Sequence, residues 1–392
     1  MIVNINNNKL LNISYSSLQA LYWMLFCSLS AFASIFLLAN NLENNQIGII
    51  LASCNIISAV SQPILSKIIN SKCRLTLKSL LLYSSILLFF CTLLMIIFND
   101  NLVIKLIAYI LAFILIYSIQ PFVNALGFDY ANSGHEVNFG FSRAIGSLAF
   151  AVASFIIGNL IAIYTINIFA YIILFEVIIF CLIIYILPNQ VHTVEKTTIH
   201  SKNFFATYPQ VTLVLIGTMF LFIFHTFIVS YLSQIVSVFN GDSSTVGTLL
   251  TIAAISELPA MIFYEKLLKY KNSQFWMFLS AVFYLIRSII IYTAISIAMV
   301  GASQLLQSLS FALFTASSAY YINSVLKPDD RIFGQTILMV SITVGCVFGN
   351  LIGGQLLLSY GVSTMLLVGI IASTLAVVFI GIGCNKRFYK QK

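Results

Sequence analysis

Almost the whole chain is made of apolar stretches of roughly membrane-spanning length, separated by short polar loops. A helix needs about 20 apolar residues to cross the roughly 30 Å hydrocarbon layer. Read with that window, the sequence predicts spans near 15–39, 45–69, 75–98, 102–126, 141–164 and 168–187, then 210–238, 245–268, 274–296, 298–324, 334–358 and 362–384. The division between the ninth and tenth rests on length, because no charge separates Arg287 from Lys327 and one crossing does not use that many residues. Charged residues are 8% of the chain against about one quarter in soluble domains, so a soluble enzyme, a disordered protein and a nucleic-acid-binding domain are poor fits. The apolar run from Leu18 reads as a first membrane helix and not as a cleavable leader, for it lacks a small-residue cleavage site.

The formal charge of +8 is mostly a topology signal. Numbering the loops alternately, sixteen of the 19 basic residues fall on the side of the termini. They are Lys9, Lys67, Lys72, Arg74, Lys78, Lys196, Lys202, Lys266, Lys269, Lys271, Lys327, Arg331, Lys386, Arg387, Lys390 and Lys392. Basic loops stay cytoplasmic, which predicts a protein of the cell's inner (plasma) membrane with both termini inside. The segment 188–209, with Pro188 and Pro209 near its ends, divides the spans six and six. The expected architecture is therefore an all-α polytopic membrane protein of twelve transmembrane helices: a six-helix bundle at 1–187, a cytoplasmic linker at 188–209 and a second bundle at 210–392.

Two halves of this kind suit a transporter that rocks about a solute held near the bilayer midplane. No HExxH, GxSxG or Walker sequence is present, so catalysis and ATP use are not expected. The seven cysteines lack paired metal-site spacing and read as small hydrophobes; neither metal nor cofactor is expected.

Candidate site residues are the polar side chains that hydrocarbon disfavours, since a charge at mid-bilayer costs about 2.5 kcal/mol or more on insertion scales. Glu257 stands two residues before Pro259, which frees a backbone carbonyl and kinks the helix. A carboxyl group that is neutral in one environment and ionised in another is a candidate proton carrier. Arg287, deep in the ninth span, is its expected partner, with Tyr284 on the same face. His225 in the seventh span suits proton handling or hydrogen bonding to a solute. Gln304 and Gln307 in the tenth, and Gln120 and Asn124 in the fourth, offer amides that both donate and accept. Arg143 enters the fifth span. Asp129 and Glu176 are secondary candidates; Glu176 has no evident basic partner and reads first as an inter-helix hydrogen bond. Small residues at Gly345, Gly349, Gly353 and Gly354, and at Gly140, Gly146 and Gly158, predict seams of close helix approach.

Several local patterns resemble the lactose-permease-like proton symporters of the major facilitator superfamily, including the phenylpropionate-permease-like branch. Phe139 to Ser147 is similar to that group's aromatic-Gly-x-x-Arg-x-x-Gly-Ser entry to the fifth helix. His225 to Leu232 resembles part of the seventh, Glu257-Leu258-Pro259 the Glu-x-Pro of the eighth, and Arg287 the ninth-helix arginine. Ser308 to Ala312 with Tyr321-Ile322 resembles the tenth, and Gly334-Gln335 the start of the eleventh. The chain departs from the group at Ser66 and Asn70, where glycine and aspartate are usual, and at Gln307, where histidine is frequent. The resemblance implies the major facilitator fold, a substrate or gating role for Arg143, and a proton-coupling role for Glu257 and Arg287. The expected function is proton-driven uptake of a small organic solute, with sugar first and nucleosides or aromatic acids next. Efflux of amphipathic compounds is the rival in transport, and a non-transporting receptor or assembly factor the rival outside it. Expected partners are solute, protons and membrane lipid, not nucleic acid, and the protein is expected to act as a monomer.

Overall fold

The computed structural model describes residues 5–69, 76–132, 137–188 and 204–385. Most of the linker, Asn70, Cys73 and the basic residues Lys72, Arg74, Lys196, Lys202, Lys386, Arg387, Lys390 and Lys392 lie outside the described residues. The described residues are helical nearly throughout. In chain order the helices are α1 Ile5–Phe26, α2 Ala33–Ala39, α3 Asn44–Ile69, α4 Leu77–Ile97, α5 Leu102–Asn132, α6 Phe139–Tyr164 and α7 Phe169–Ile186. They continue as α8 Phe204–Thr207, α9 Pro209–Ser230, α10 Leu232–Ser237, α11 Ser243–Leu267, α12 Ser273–Tyr292, α13 Ile297–Leu305, α14 Leu313–Val325, α15 Arg331–Ser359 and α16 Gly361–Cys384.

Eleven of the resulting segments are long and apolar enough to cross a membrane, and a bent pair at the first span brings the number to as many as twelve. That bend is one of the places where the structure departs from simple hydropathy. The π-helical turn Cys27–Ala31 ends α1, and the pair turns by 44° before α2. A second π-helical turn, Ser308–Ala312, divides the tenth span between α13 and α14, its Ala312 N–H reaching five residues back to Gln307 O at 3.1 Å. The seventh predicted span ends early, at Ser230, with α10 as a separate turn beyond Tyr231. Helix starts follow side chains that accept from the free N–H groups of the first turn: Thr76 with Ser79, Asn138, Asn272 and Ser296. Asn41 and Asn240 take the left-handed conformation between helices, which asparagine tolerates better than most residues.

The chain forms two compact units. The first holds α1, α2, most of α3, α4 to α7 and the opening residues 243–251 of α11. In it α1 lies along α6, and α4 along α5 and α7. A β-carbon at Gly158 would lie 2.6 Å from Ser243 O, and beside it Ser154 and Thr251 pair their hydroxyls at 3.0 Å. The second unit holds Glu43 and residues 44–52 of α3, then α8 to α10, the remainder of α11 and α12 to α16. Its central helix is α9, of which 72% is buried where the other spans reach at most 44%. The glycine stripe of α15 meets α9: Gly345 against Met219, Gly349 against Ile223 and Thr226, and Gly353 against Phe227. A β-carbon on Gly349 would stand 2.7 Å from Thr226 Cβ and 2.9 Å from Ile223 O. Gly349→Leu is therefore expected to cost about 2 kcal/mol or more by overpacking, read as a lower unfolding temperature in detergent. Gly140→Ala, with only Asn138 Oδ1 at 3.8 Å, is the neutral control.

Candidate functional site

The second unit gathers most of the expected site residues into one polar cluster. Arg287 projects from α12 and is 1% exposed. Its guanidinium donates to Gln307 Oε1 and Gln304 Oε1, and more weakly to Ser310 Oγ at 3.5 Å. Gln304 lies at the end of α13 and Gln307, three residues on, immediately precedes the π-helical turn that carries Ser310, so the two amides lie on one face. Gln307 Nε2 in turn donates to Glu257 Oε1 at 2.9 Å. The sequence suggested Arg287 and Glu257 as direct partners; the structure links them through the amide of Gln307, which accepts from one and donates to the other. A glutamine spans the two charges because its amide has both functions on one planar group.

Beside this link, Tyr284 OH and His225 Nδ1 are 3.2 Å apart. The His225 ring stacks on Phe311, with centroids 4.7 Å apart and an interplanar angle of 6°. Two donors in the cluster are buried without a partner: Arg287 Nε and Gln304 Nε2. Buried polar groups are nearly always satisfied, so these mark where a solute oxygen or a water belongs. The cluster therefore combines a carboxylate acceptor, two spare donors and an aromatic face.

The first unit holds a second group. Arg143 on α6 lays its guanidinium over the Trp23 ring, 3.9 Å from the ring centre to Cζ, and donates to Ser147 Oγ at 2.7 Å. Asn124 Oδ1 accepts from Gln19 Nε2 at 3.1 Å, and that same nitrogen donates to Tyr15 OH at 2.8 Å. Gln120 is half-buried one turn before Asn124. Asp129 is buried near the end of α5. Glu176 is 3% exposed on α7, with Ser28 Oγ at 2.7 Å from its Oε2.

Gln19, Trp23, Ser28 and Ser310 were not singled out from the sequence. A signal did exist for the first two. Tyr15, Gln19 and Trp23 follow one another at four-residue intervals, which puts them on one helix face, and a glutamine in an apolar run needs a partner. Trp23 and Arg143 are both half-buried, and stacking of a guanidinium on an indole in such a setting is worth about 1 kcal/mol. Trp23→Leu is expected to lower stability by roughly that amount, while Trp23→Phe keeps most of it; chemical unfolding in detergent measures both.

A family model described as the MFS_1 like family matches residues 15–368. Among solved structures, a variant of the nucleoside transporter NupG has a TM-score of 0.80 at 16% identity, with 97% of this chain and 100% of that one covered. An auto-inhibited POT family peptide transporter gives 0.76 at 12% identity, covering 97% of each chain. The human organic anion transporter MFSD10 gives 0.65 at 12% identity, covering 95% of this chain and 99% of that one. No curated protein matches the sequence significantly. At these identities the likeness to solved structures is one of fold.

Proposed function

Because the chain belongs to the MFS_1 like family of the major facilitator superfamily, we propose that it is a proton-coupled secondary transporter taking up a small polar solute that carries a ring. The observation behind this reading is the Glu257–Gln307–Arg287 link, buried at Arg287 and Gln307 and half-buried at Glu257, with two unpartnered donors beside it. An acid held next to a cation through a polarisable amide is able to change protonation when a solute arrives and rearranges the hydrogen bonds. The spare donors Arg287 Nε and Gln304 Nε2 suit hydroxyl or carbonyl oxygens, and Glu257 suits a hydroxyl donor. That chemistry favours a sugar, in keeping with the lactose-permease-like patterns of the sequence. The stacked His225–Phe311 pair favours a second reading, a nucleoside, whose base offers a flat face as well as a sugar; nucleoside transport is what the NupG structures are named for. A site built of amides and charges fits efflux of amphipathic compounds less well.

In this reading no bond of the solute is made or broken. Two six-helix bundles, joined by the 188–209 segment, alternate access to the site, and the protein lies in the plasma membrane with cytoplasmic termini, acting as a monomer. Proteoliposomes with an imposed proton gradient test it. Labelled sugars and nucleosides should accumulate in a gradient-dependent way, and uptake that is unchanged after the gradient is collapsed would replace the symporter with a uniporter. For the orientation, an impermeant thiol reagent on intact cells should leave an added cysteine beside Lys202 unmodified.

A further inference from the structure

Glu176 lies outside the cluster that carries the proposed coupling, yet its surroundings constrain its chemistry. Ser28 Oγ lies 2.7 Å from Glu176 Oε2 and 3.2 Å from Met24 O, four residues back on its own helix. Both neighbours are oxygens, and a hydroxyl has one hydrogen to donate. If Glu176 were ionised, a charge 3% exposed would rest on the single Ser28 hydroxyl, with no cation bonded to it among the described residues. If Glu176 is the neutral acid, its own O–H donates to Ser28 Oγ, and the Ser28 hydrogen serves Met24 O. Both contacts are then hydrogen bonds. Ser310 offers the parallel in the second unit: its Oγ receives Arg287 Nη1 and donates to Leu306 O at 2.7 Å. Each serine sits in a π-helical turn, lies against a buried ionisable side chain and reaches back to a carbonyl of its own helix. Such turns are frequent at functional sites.

Among the described residues, the buried titratable groups on the elements packed against α7 are Tyr15 and Tyr22 of α1, Cys27 of the π-helical turn and Cys91 of α4. Phenols and thiols of this kind are neutral where carboxyl groups ordinarily titrate, and the Tyr15 and Tyr22 hydroxyls are bonded to Val123 O and Ile116 O. Among the side chains described on these elements, the cations are Lys78, whose Nζ donates to Tyr185 O at 2.9 Å, and Arg143, engaged by Trp23 and Ser147.

We propose that Glu176 is a proton-binding site of the first unit, protonated in this conformation, whose deprotonation turns the Ser28 hydroxyl from Met24 O to the carboxylate at the bend of the first span. The proton passes from Oε2 to water, the electron pair stays on the carboxylate, and the Ser28 hydrogen changes acceptor. Nothing is oxidised or reduced. Ser28 lies in the π-helical turn one turn before the 44° break of the first span, so the change of acceptor acts on the backbone leading into that break.

Difference infrared spectroscopy of the purified, solute-free protein between acidic and alkaline pH tests this without relying on transport. A protonated-carboxyl band is expected that falls as pH rises and is lost in Glu176→Gln. In Ser28→Ala, which keeps the acid but removes its acceptor, the band should persist and shift to higher frequency. A difference spectrum unchanged by Glu176→Gln, or a Glu176 band that does not respond to pH, overturns the proposal. A second readout does rest on the transport reading: Glu176→Gln should flatten the alkaline limb of the uptake rate against pH. An unaltered limb beside a titrating band would remove Glu176 from the transport cycle and leave the proton site standing, whereas absence of uptake in the parent protein bears only on the transport reading.

Discussion

Glu257→Gln is expected to abolish uphill accumulation of solute while leaving binding and exchange largely intact. Glutamine keeps the shape of the protonated acid, and its carbonyl oxygen still accepts from Gln307 Nε2, which donates to Glu257 Oε1 at 2.9 Å in the parent protein. What it lacks is a proton to release. The effect is large because coupling sets the whole gradient. A potential of 100 mV acting on one transported charge supplies about 2.3 kcal/mol, or roughly fiftyfold accumulation. Without the charge, solute equilibrates and the ratio falls to about one. The measurement is accumulation ratio against external pH, at matched amounts of protein in the membrane. Counterflow exchange in the same vesicles separates a loss of coupling from a loss of folding. A parent-like pH profile in Glu257→Gln would remove this residue from the mechanism and leave Asp129, Glu176 and His225 as carriers.

The sequence and the structure agree where the physics is one-dimensional. Span length follows from summing hydropathy along the chain, and the helices emerge within a few residues of the apolar windows, as at Leu77–Ile97 and Ser273–Tyr292. The glycine stripe of α15 was legible too, because a four-residue spacing puts its members on one face whatever the neighbour is. The two π-helical turns were not legible. Cys-Ser-Leu-Ser-Ala and Ser-Leu-Ser-Phe-Ala differ little from helix-forming segments elsewhere in the chain, and the extra residue per turn depends on packing partners far away in sequence. The same limit applies to the site. Arg287, Glu257, Gln304 and Gln307 each stood out as polar residues in hydrocarbon, but which of them meet depends on the rotation of three helices. That Gln307 bridges the charges, and that Ser28 faces Glu176, are facts of rotation that spacing on a single helix does not carry.

Arg287→Ala is expected to be among the most damaging single substitutions in the second unit, for a reason separate from coupling. Removing the guanidinium strips Gln307 Oε1 and Gln304 Oε1 of their donors and takes away the cation on the far side of the Gln307 amide from Glu257. Loss of one partner from a fully buried charge pair costs about 3–5 kcal/mol; Arg287 is buried but Glu257 only half-buried, so the cost here is expected at or below the low end of that range. Arg287→Lys should recover only part of this, since one ammonium does not reproduce the fork that reaches two glutamine oxygens. The contrast that isolates the network is the pair of substitutions Arg287→Met and Glu257→Leu together, which removes both charges and fills the space with apolar groups. Such replacements are often neutral or stabilising, so the double variant should unfold at a higher temperature than Arg287→Ala while transporting nothing uphill. The role of Gln307 enters through a double-mutant cycle. Residues in one hydrogen-bond network couple by about 0.5–3 kcal/mol, and Arg287 and Glu257 should couple within that range when Gln307 is present. The coupling should shrink in a Gln307→Leu background, where the amide no longer joins them and only the direct attraction between the charges remains. Coupling that survives Gln307→Leu undiminished would mean the two charges couple by direct attraction alone, and the amide would lose its place in the proposed mechanism.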